Sequence, residues 1–106
     1  MVTYNQEAVF HALADPTRRG ILDLLSTEER SAGDVAAKFP VSRPAISRHL
    51  RVLRNAGLVD QRRDAQWRVY RLNPDALREA DRWFDSYRVF WTARMHDLKR
   101  YVEESP

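Results

Sequence analysis

Apolar residues return along this chain mostly at steps of three and four, broken once by a short stretch of strict alternation. Ala8, Val9, Ala12 and Leu13 mark a short first helix over Asn5–Leu13. Asp15 followed by Pro16 is a cap with proline at the first helical position, which starts a second helix running to about Ser26. Ile21, Leu22, Leu24 and Leu25 supply its apolar face. TEER is a polar connection, after which Ser31 caps a third helix that turns Val35, Ala36 and Phe39 inward and stops before Pro40. Ser42 caps a fourth helix, with Pro44 tolerated in its first turn, Ile46, Leu50 and Leu53 facing inward, and Gly57 placed to end it in a left-handed conformation.

LVDQRR and WRVYRL then read as two strands separated by Asp64, Ala65 and Gln66, a small hairpin. Asn73-Pro74 opens a last helix that continues to about Glu103, unusually long for so short a chain. The fold class that follows is mainly α with a small β-hairpin, in the order α-α-α-α-β-β-α. With 106 residues and no linker, repeat or low-complexity tract, residues 1–106 are expected to form a single domain.

Charge changes the picture more than composition does. Hydrophobic residues at 43% and charged residues at 31% describe an ordinary globular chain. The absence of Cys removes disulfides, thiolate metal sites and Cys nucleophiles together. No apolar run approaches the length of a membrane span and no signal-peptide core follows the start, so no membrane partner and a cytoplasmic address are expected. The net charge of +3 is unevenly spread. Residues 42–71 hold eight Arg against two Asp, a local charge of +6, and the remainder of the chain carries −3. Such a concentration is the electrostatic footprint of a nucleic-acid binder; a solvated, salt-bridged face is the alternative.

The segment VSRPAISRHLRVLRNAGLV, residues 41–59, carries four of those Arg together with His49 and no acidic residue. Two helices joined by a tight turn, the second capped by Ser and rich in Arg, make a helix-turn-helix arrangement. With Ile46, Leu50 and Leu53 buried, Arg43, Pro44, Ser47, Arg48 and Arg51 fall outward or along the flank. A helix N-terminus adds free N–H groups and partial positive charge, both favourable to phosphate. The Arg-bearing hairpin that follows is a wing suited to the neighbouring DNA backbone or minor groove.

HALADPTRRGILDLL, VSRPAISRHLRVLRNAGLV and RRDAQWRVYRL together resemble the ArsR/SmtB-family winged helix-turn-helix repressors over about residues 8–72. The ADPTRR entry to the second helix looks most like the branch without metal sites that includes the SdpR-type autorepressors. The resemblance implies a homodimer whose recognition helices, residues 43–54, enter successive major grooves of double-stranded DNA. It places DNA contacts at Ser42, Arg43, Pro44, Ser47, Arg48 and His49, with wing support from Arg62, Arg63 and Arg68. His49 also has a second role open to it, as a helix-packing residue. The family's usual Gly-Arg pair at the wing tip is replaced by Ala65-Gln66. Losing Gly disfavours turns with positive φ and losing Arg removes a candidate minor-groove contact, so either a longer wing or a wing that contributes mostly through Arg62, Arg63 and Arg68 is expected.

Metal sensing is not expected. RSAGD puts Ser31 and Gly33 where the family's thiolates stand, and neither binds a soft metal. On the last helix His96 is followed three residues later by Lys99, a cation, and His11, His49 and His96 form no ligand set. No cofactor is implied.

Trp83, Phe84, Tyr87, Phe90, Trp91, Met95, Leu98, Tyr101 and Val102 form a stripe wider than so small a monomer covers. Part of it is expected to pack on the chain's own first two helices. The rest, with Trp83, Tyr87, Phe90, Trp91, Met95 and Leu98 at its centre, is expected to pair subunits through the N-terminal helix and the C-terminal helix 74–103. An aromatic pocket for a small apolar effector is an alternative use of the same stripe, the effector itself being unknown.

Other function classes fit less well. Ser47 and His49 are two apart on a helix and do not face each other, and no catalytic elbow or Gly-rich phosphate loop occurs, so an enzyme is not indicated. A winged helix used only for protein–protein contact conflicts with the +6 patch. An RNA binder would need an aromatic sheet for stacking bases.

Overall fold

The computed structural model describes residues 3–104. Eight elements follow in chain order: α1 (Gln6–Leu13), α2 (Pro16–Leu25), β1 (Arg30–Ser31), α3 (Ala32–Ala36), α4 (Arg43–Asn55), β2 (Val59–Asp64), β3 (Trp67–Leu72) and α5 (Pro74–Glu104). The helices begin where their polar caps stand. The side chains of Asn5, Asp15, Ser31 and Ser42 each accept from the backbone N–H three residues on, and Asn73 Oδ1 accepts from the N–H of Asp75. Each satisfies one of the N–H groups a helix start leaves without a partner. Gly57 closes α4 with φ of 81°, the left-handed exit that a residue without a Cβ makes at least cost.

Three features differ from the sequence expectations. β1 is a third strand inside the connection read as polar coil: Arg30 pairs with Tyr70 and Ser31 with Val69, antiparallel, giving the sheet order β1-β3-β2. Two residues are too few to show alternation, and Ser31 also serves as the cap of α3. Second, α3 ends at Ala36, and Phe39 packs from the following turn, where a Cβ added to Gly20 would meet its ring at 2.9 Å. Third, the wing is not lengthened. Asp64 pairs with Trp67, leaving the two-residue turn Ala65-Gln66, and Ala65 adopts φ of 55°. The six-residue ladder on either side holds an alanine in a conformation that glycine would adopt more cheaply.

The core gathers one face from each element. Ile21, Val35, Ile46, Leu50, Leu53, Leu58 and Val59 are buried together with Val9 and Ala12 of α1. This packing fixes α4 by its inner face and leaves its outer face bare. At the other end of the molecule α5 lies on α1 for its first turns only. Ala76 and Ala80 are buried, Gln6 Nε2 donates to the Glu79 carbonyl at 2.9 Å, and Phe10 meets Trp83 edge-on at 5.6 Å. From Asp81 onward every described residue of α5 is exposed. At 1.5 Å per residue the 31-residue helix is about 46 Å long. The described chain accordingly extends 66 × 34 × 20 Å with a radius of gyration of 18.4 Å, where a compact domain of this size has about 13 Å. Packing on the chain's own helices thus covers only the beginning of the aromatic stripe, and α1 provides it.

Candidate nucleic-acid interface

The helix-turn-helix presents one continuous polar arc. With Ile46, Leu50 and Leu53 buried, Arg43, Ser47, Arg51 and Arg54 form a row along the exposed side of α4, with Pro44 and Arg48 beside it. Ser42 stands at the N-terminus, where its hydroxyl accepts from Ala45 N–H at 3.2 Å. The Arg43 guanidinium folds over α3: a Cβ at Gly33 would come 3.2 Å from its Nη2. Short Ser side chains between long Arg side chains leave room for the helix backbone to approach a groove while guanidinium groups reach further in.

The wing stands beside that row. Arg51, Arg54 and Arg68 line a cleft of about 290 Å³ between α4 and β3, floored by Leu50 and Tyr70. Arg54 and Arg68 also border a second hollow of about 350 Å³ with Arg62 and Arg63. Arg63 and Arg68 face each other directly across the ladder. Like charges opposed in this way destabilise a hairpin unless an anion lies between or over them.

The alternative of a salt-bridged face is answered by the ion pairs. Among the described residues, Arg43, Arg48, Arg51, Arg54, Arg63 and Arg68 have no acidic partner within 4 Å. Arg62 and Arg71 do: Arg62 bonds Glu29 and lies 3.5 Å from Asp64, and Arg71 lies 3.3 Å from Asp60. The Glu29 hydrogen bond is also the main reason the Arg62 guanidinium holds its proton more strongly than usual. Arg62 therefore offers less free charge to a ligand than Arg63 or Arg68.

His49 sits apart from the arc. Its side chain is 19% exposed, on the flank of α4 that meets α2, with Nδ1 3.2 Å from Nη1 of Arg18 and 3.9 Å from Oδ2 of Asp15. Of the two roles open to His49, packing between helices is the one this placement fits. Arg54, by contrast, is a member of the arc that the helix-turn-helix reading left out. Its step of three from Arg51 and seven from Ser47 was the available signal.

A relationship to known proteins follows from these features. Residues 15–61 match the model of the bacterial regulatory protein, arsR family. Over 104 residues, 97% of this chain and 94% of the relative, the sequence is 42% identical to the HTH-type transcriptional regulator Rv2034 of Mycobacterium tuberculosis. The chain belongs to the ArsR family. This ArsR-family regulator is also 44% identical over 75 residues to the transcriptional repressor SdpR of Bacillus subtilis, spanning 71% of the chain and 83% of the relative. Its fold is similar to an ArsR-like transcriptional regulator from Rhodococcus sp. RHA1, with a TM-score of 0.70, 34% identity and 95% and 94% of the two chains covered. The winged helix-turn-helix architecture and a role in DNA-binding transcription regulation, not enzymatic catalysis, are thereby established for the chain.

A second surface of the ArsR-family protein is the bare part of α5. Trp83, Tyr87, Phe90, Trp91, Met95 and Leu98 are between 44 and 71% exposed. Phe84 and Val102 lie 18 residues apart, five helical turns, so the stripe runs straight along the helix. It begins in contact with Phe10 through Trp83 and Phe84 and continues without interruption past the end of α1. Phe90, Trp91, Arg94 and Met95 shape an open apolar hollow of about 320 Å³ within it. No helix among the described residues is long and apolar enough to cross a membrane.

Proposed function

We propose that the protein is a sequence-specific repressor that binds a palindromic operator in double-stranded DNA as a homodimer. The observation that carries this reading is the set of six Arg on α4 and the wing that, among the described residues, have no acidic partner within 4 Å, with Arg51, Arg54, Arg63 and Arg68 lining two hollows where the helix meets the wing. An unpaired cationic surface of this kind attracts the phosphate backbone, and its helical part has the width of a major groove. Ser42, Arg43, Pro44, Ser47, Arg48 and Arg51 are assigned to the groove. Arg54, Arg63 and Arg68 are assigned to the phosphate strand that runs between α4 and the wing, with Arg62 as a weaker contributor because Glu29 engages it.

Pairing of subunits through α1 and α5 supplies the two-fold symmetry that such recognition needs. An apolar face as broad as the α5 stripe is costly to leave in water, and a second copy of the same stripe covers it. Residues 1–106 act as one winged-helix unit, acting in the cytoplasm where DNA is reached. Repression is supported by the 44% identity to the transcriptional repressor SdpR of Bacillus subtilis.

Selection of bound duplexes from a random DNA pool tests this. The expected result is an inverted-repeat consensus whose half-sites are centred about 34–36 Å apart or a multiple of that. Recovery of sequences without enrichment, or of a consensus lacking symmetry, would refute it.

A further inference from the structure

We propose that Arg18 and His49 form a strut that transmits the orientation of the subunit-pairing layer to the DNA-reading helix. This inference rests on the reading above, in which α4 reads DNA and α1 with α5 pairs subunits.

The strut is built at the α1–α2 corner. Asp15 starts α2, its carboxylate accepting from the Arg18 N–H at 3.0 Å, and this turns the Arg18 side chain back over the end of α1. There Nε donates to the Ala12 carbonyl at 2.8 Å and Nη2 to the His11 carbonyl at 2.9 Å. Arg19 adds a bond from Nη1 to the Leu13 carbonyl at 2.8 Å. The final carbonyls of a helix lack intrahelical partners and carry partial negative charge, so two cations suit them. Arg18 has a further nitrogen. Nη1 lies 3.2 Å from His49 Nδ1, in the middle of α4 and next to Arg48. One rigid guanidinium therefore joins the end of α1 to the recognition helix.

The geometry also specifies the state of the imidazole. Arg has no acceptor, so Nδ1 must accept and the ring carries its proton on Nε2. The other charged group facing Nδ1 is Asp15, at 3.9 Å, beyond hydrogen-bond range.

Such a bond matters for recognition because the aliphatic packing of Ile46, Leu50 and Leu53 is not directional. A hydrogen bond with fixed geometry resists rotation of α4 about its own axis, and that rotation is what would move Arg48 off its base. In a two-fold dimer both recognition helices would be misaligned at once. Arg18 and His49 are thus positioning residues, with no need to touch DNA themselves.

The test compares His49→Asn, His49→Gln and Arg18→Lys on the operator recovered from the random pool and on random DNA. Asn places an amide oxygen near the position of Nδ1, whereas Gln carries its polar atoms one bond further out, and Lys cannot reach three acceptors from one ammonium. H49N is expected to bind the operator as the wild type does. H49Q and R18K are expected to lose about tenfold on the operator, the loss of a hydrogen bond to a charged group, with little change on random DNA and an unchanged dimer by sedimentation. Nitrogen-15 NMR of the free wild-type protein is expected to show His49 as the Nε2-protonated tautomer. The proposal is overturned if H49Q and R18K bind like the wild type, if H49N fails together with H49Q, or if the NMR shows Nδ1 protonated. Equal losses on both DNAs, or monomeric variants, overturn it as well, by reducing the pair to a fold support. A wild type that prefers no duplex at all defeats the underlying DNA-reading assignment first, a result distinct from any of these.

Discussion

The ring of Tyr4 lies against Gly57, so close that a Cβ at Gly57 would stand 2.6 Å from both Cδ1 and Cε1. Asn73 ties the two together, its Nδ2 donating to the Tyr4 hydroxyl and to the Gly57 carbonyl at 3.0 Å each. The segment leading into α1, the exit of α4 and the entry to α5 are thus locked at one point. Gly57→Ala meets two obstacles there. Positive φ costs an alanine about 1–2 kcal/mol, and the added methyl displaces an aromatic ring held at its far end. A loss above about 2 kcal/mol is expected in denaturant unfolding, with the slope unchanged. In a Tyr4→Ala background the penalty should shrink to the backbone strain alone. An equal penalty in both backgrounds would show that the ring gives way freely.

Acid stability offers a second measurement. The Asp15 carboxyl lies below its ordinary value of 3.8, chiefly because the Arg18 backbone N–H donates to it, with desolvation opposing and the Arg18 charge and the Thr17 backbone N–H acting in the same direction. A carboxylate with a depressed folded pKa adds stability that is fully present above the unfolded value and is lost as pH falls through the folded one. Asn caps a helix as well as Asp does but does not titrate. Wild type should therefore be more stable than D15N at neutral pH, with the difference fading as pH drops below 3.8. Thermal unfolding from pH 7 to pH 2 checks this, and a difference that does not vary with pH would count against it.

The residues that made these elements predictable are the ones whose effect is local. Asp15, Ser31, Ser42 and Asn73 cap the helices they precede, and Gly57 stands where only a left-handed exit suits the chain. What escaped the sequence depends on partners far along it. β1 exists because Tyr70 and Val69, some 40 residues on, offer it an edge. Arg62 reads as one more free cation until the fold brings Glu29 to it. His49 and Arg48 are neighbours in an Arg-rich run, yet the helix turns one towards Asp15 and Arg18 and the other towards solvent. The position of Ala65 in the turn was legible; that the flanking ladder would impose a positive φ on it was not.

Subunit pairing has its own test. Trp91 is 71% exposed in the middle of the stripe, remote from the contacts that α1 makes with Trp83 and Phe84. A charge placed there leaves the fold of one subunit intact but would be buried without a partner in a paired seam. Trp91→Glu is therefore expected to sediment as a monomer with helix content unchanged, and to lose most operator affinity because one half-site binds alone. A wild type that remains monomeric at micromolar concentration would rule out the seam.

The last prediction separates two kinds of contact on the basic face. Arg48 lies on the exposed arc in the first half of α4, where side chains meet base edges, whereas Arg63 lies on the wing opposite Arg68, where phosphate is the nearer partner. A base-reading Arg costs about 1–3 kcal/mol when truncated and relaxes preference at one position of each half-site. A phosphate-contacting Arg weakens binding to all sequences alike and lowers the salt slope by about one per contact. Both subunits carry any substitution, so each effect appears twice in a dimer. Arg63→Ala also removes the cross-strand repulsion with Arg68, so the free protein should be no less stable for it. Arg48→Ala is accordingly expected to lose discrimination between operator and random DNA, while Arg63→Ala keeps the discrimination and binds both less tightly. Titrations of the two variants on both duplexes across a salt series measure the difference. Should Arg48→Ala weaken operator and random DNA equally, with only the salt slope changed, then α4 grips the backbone at that residue and the bases are read from elsewhere on the arc.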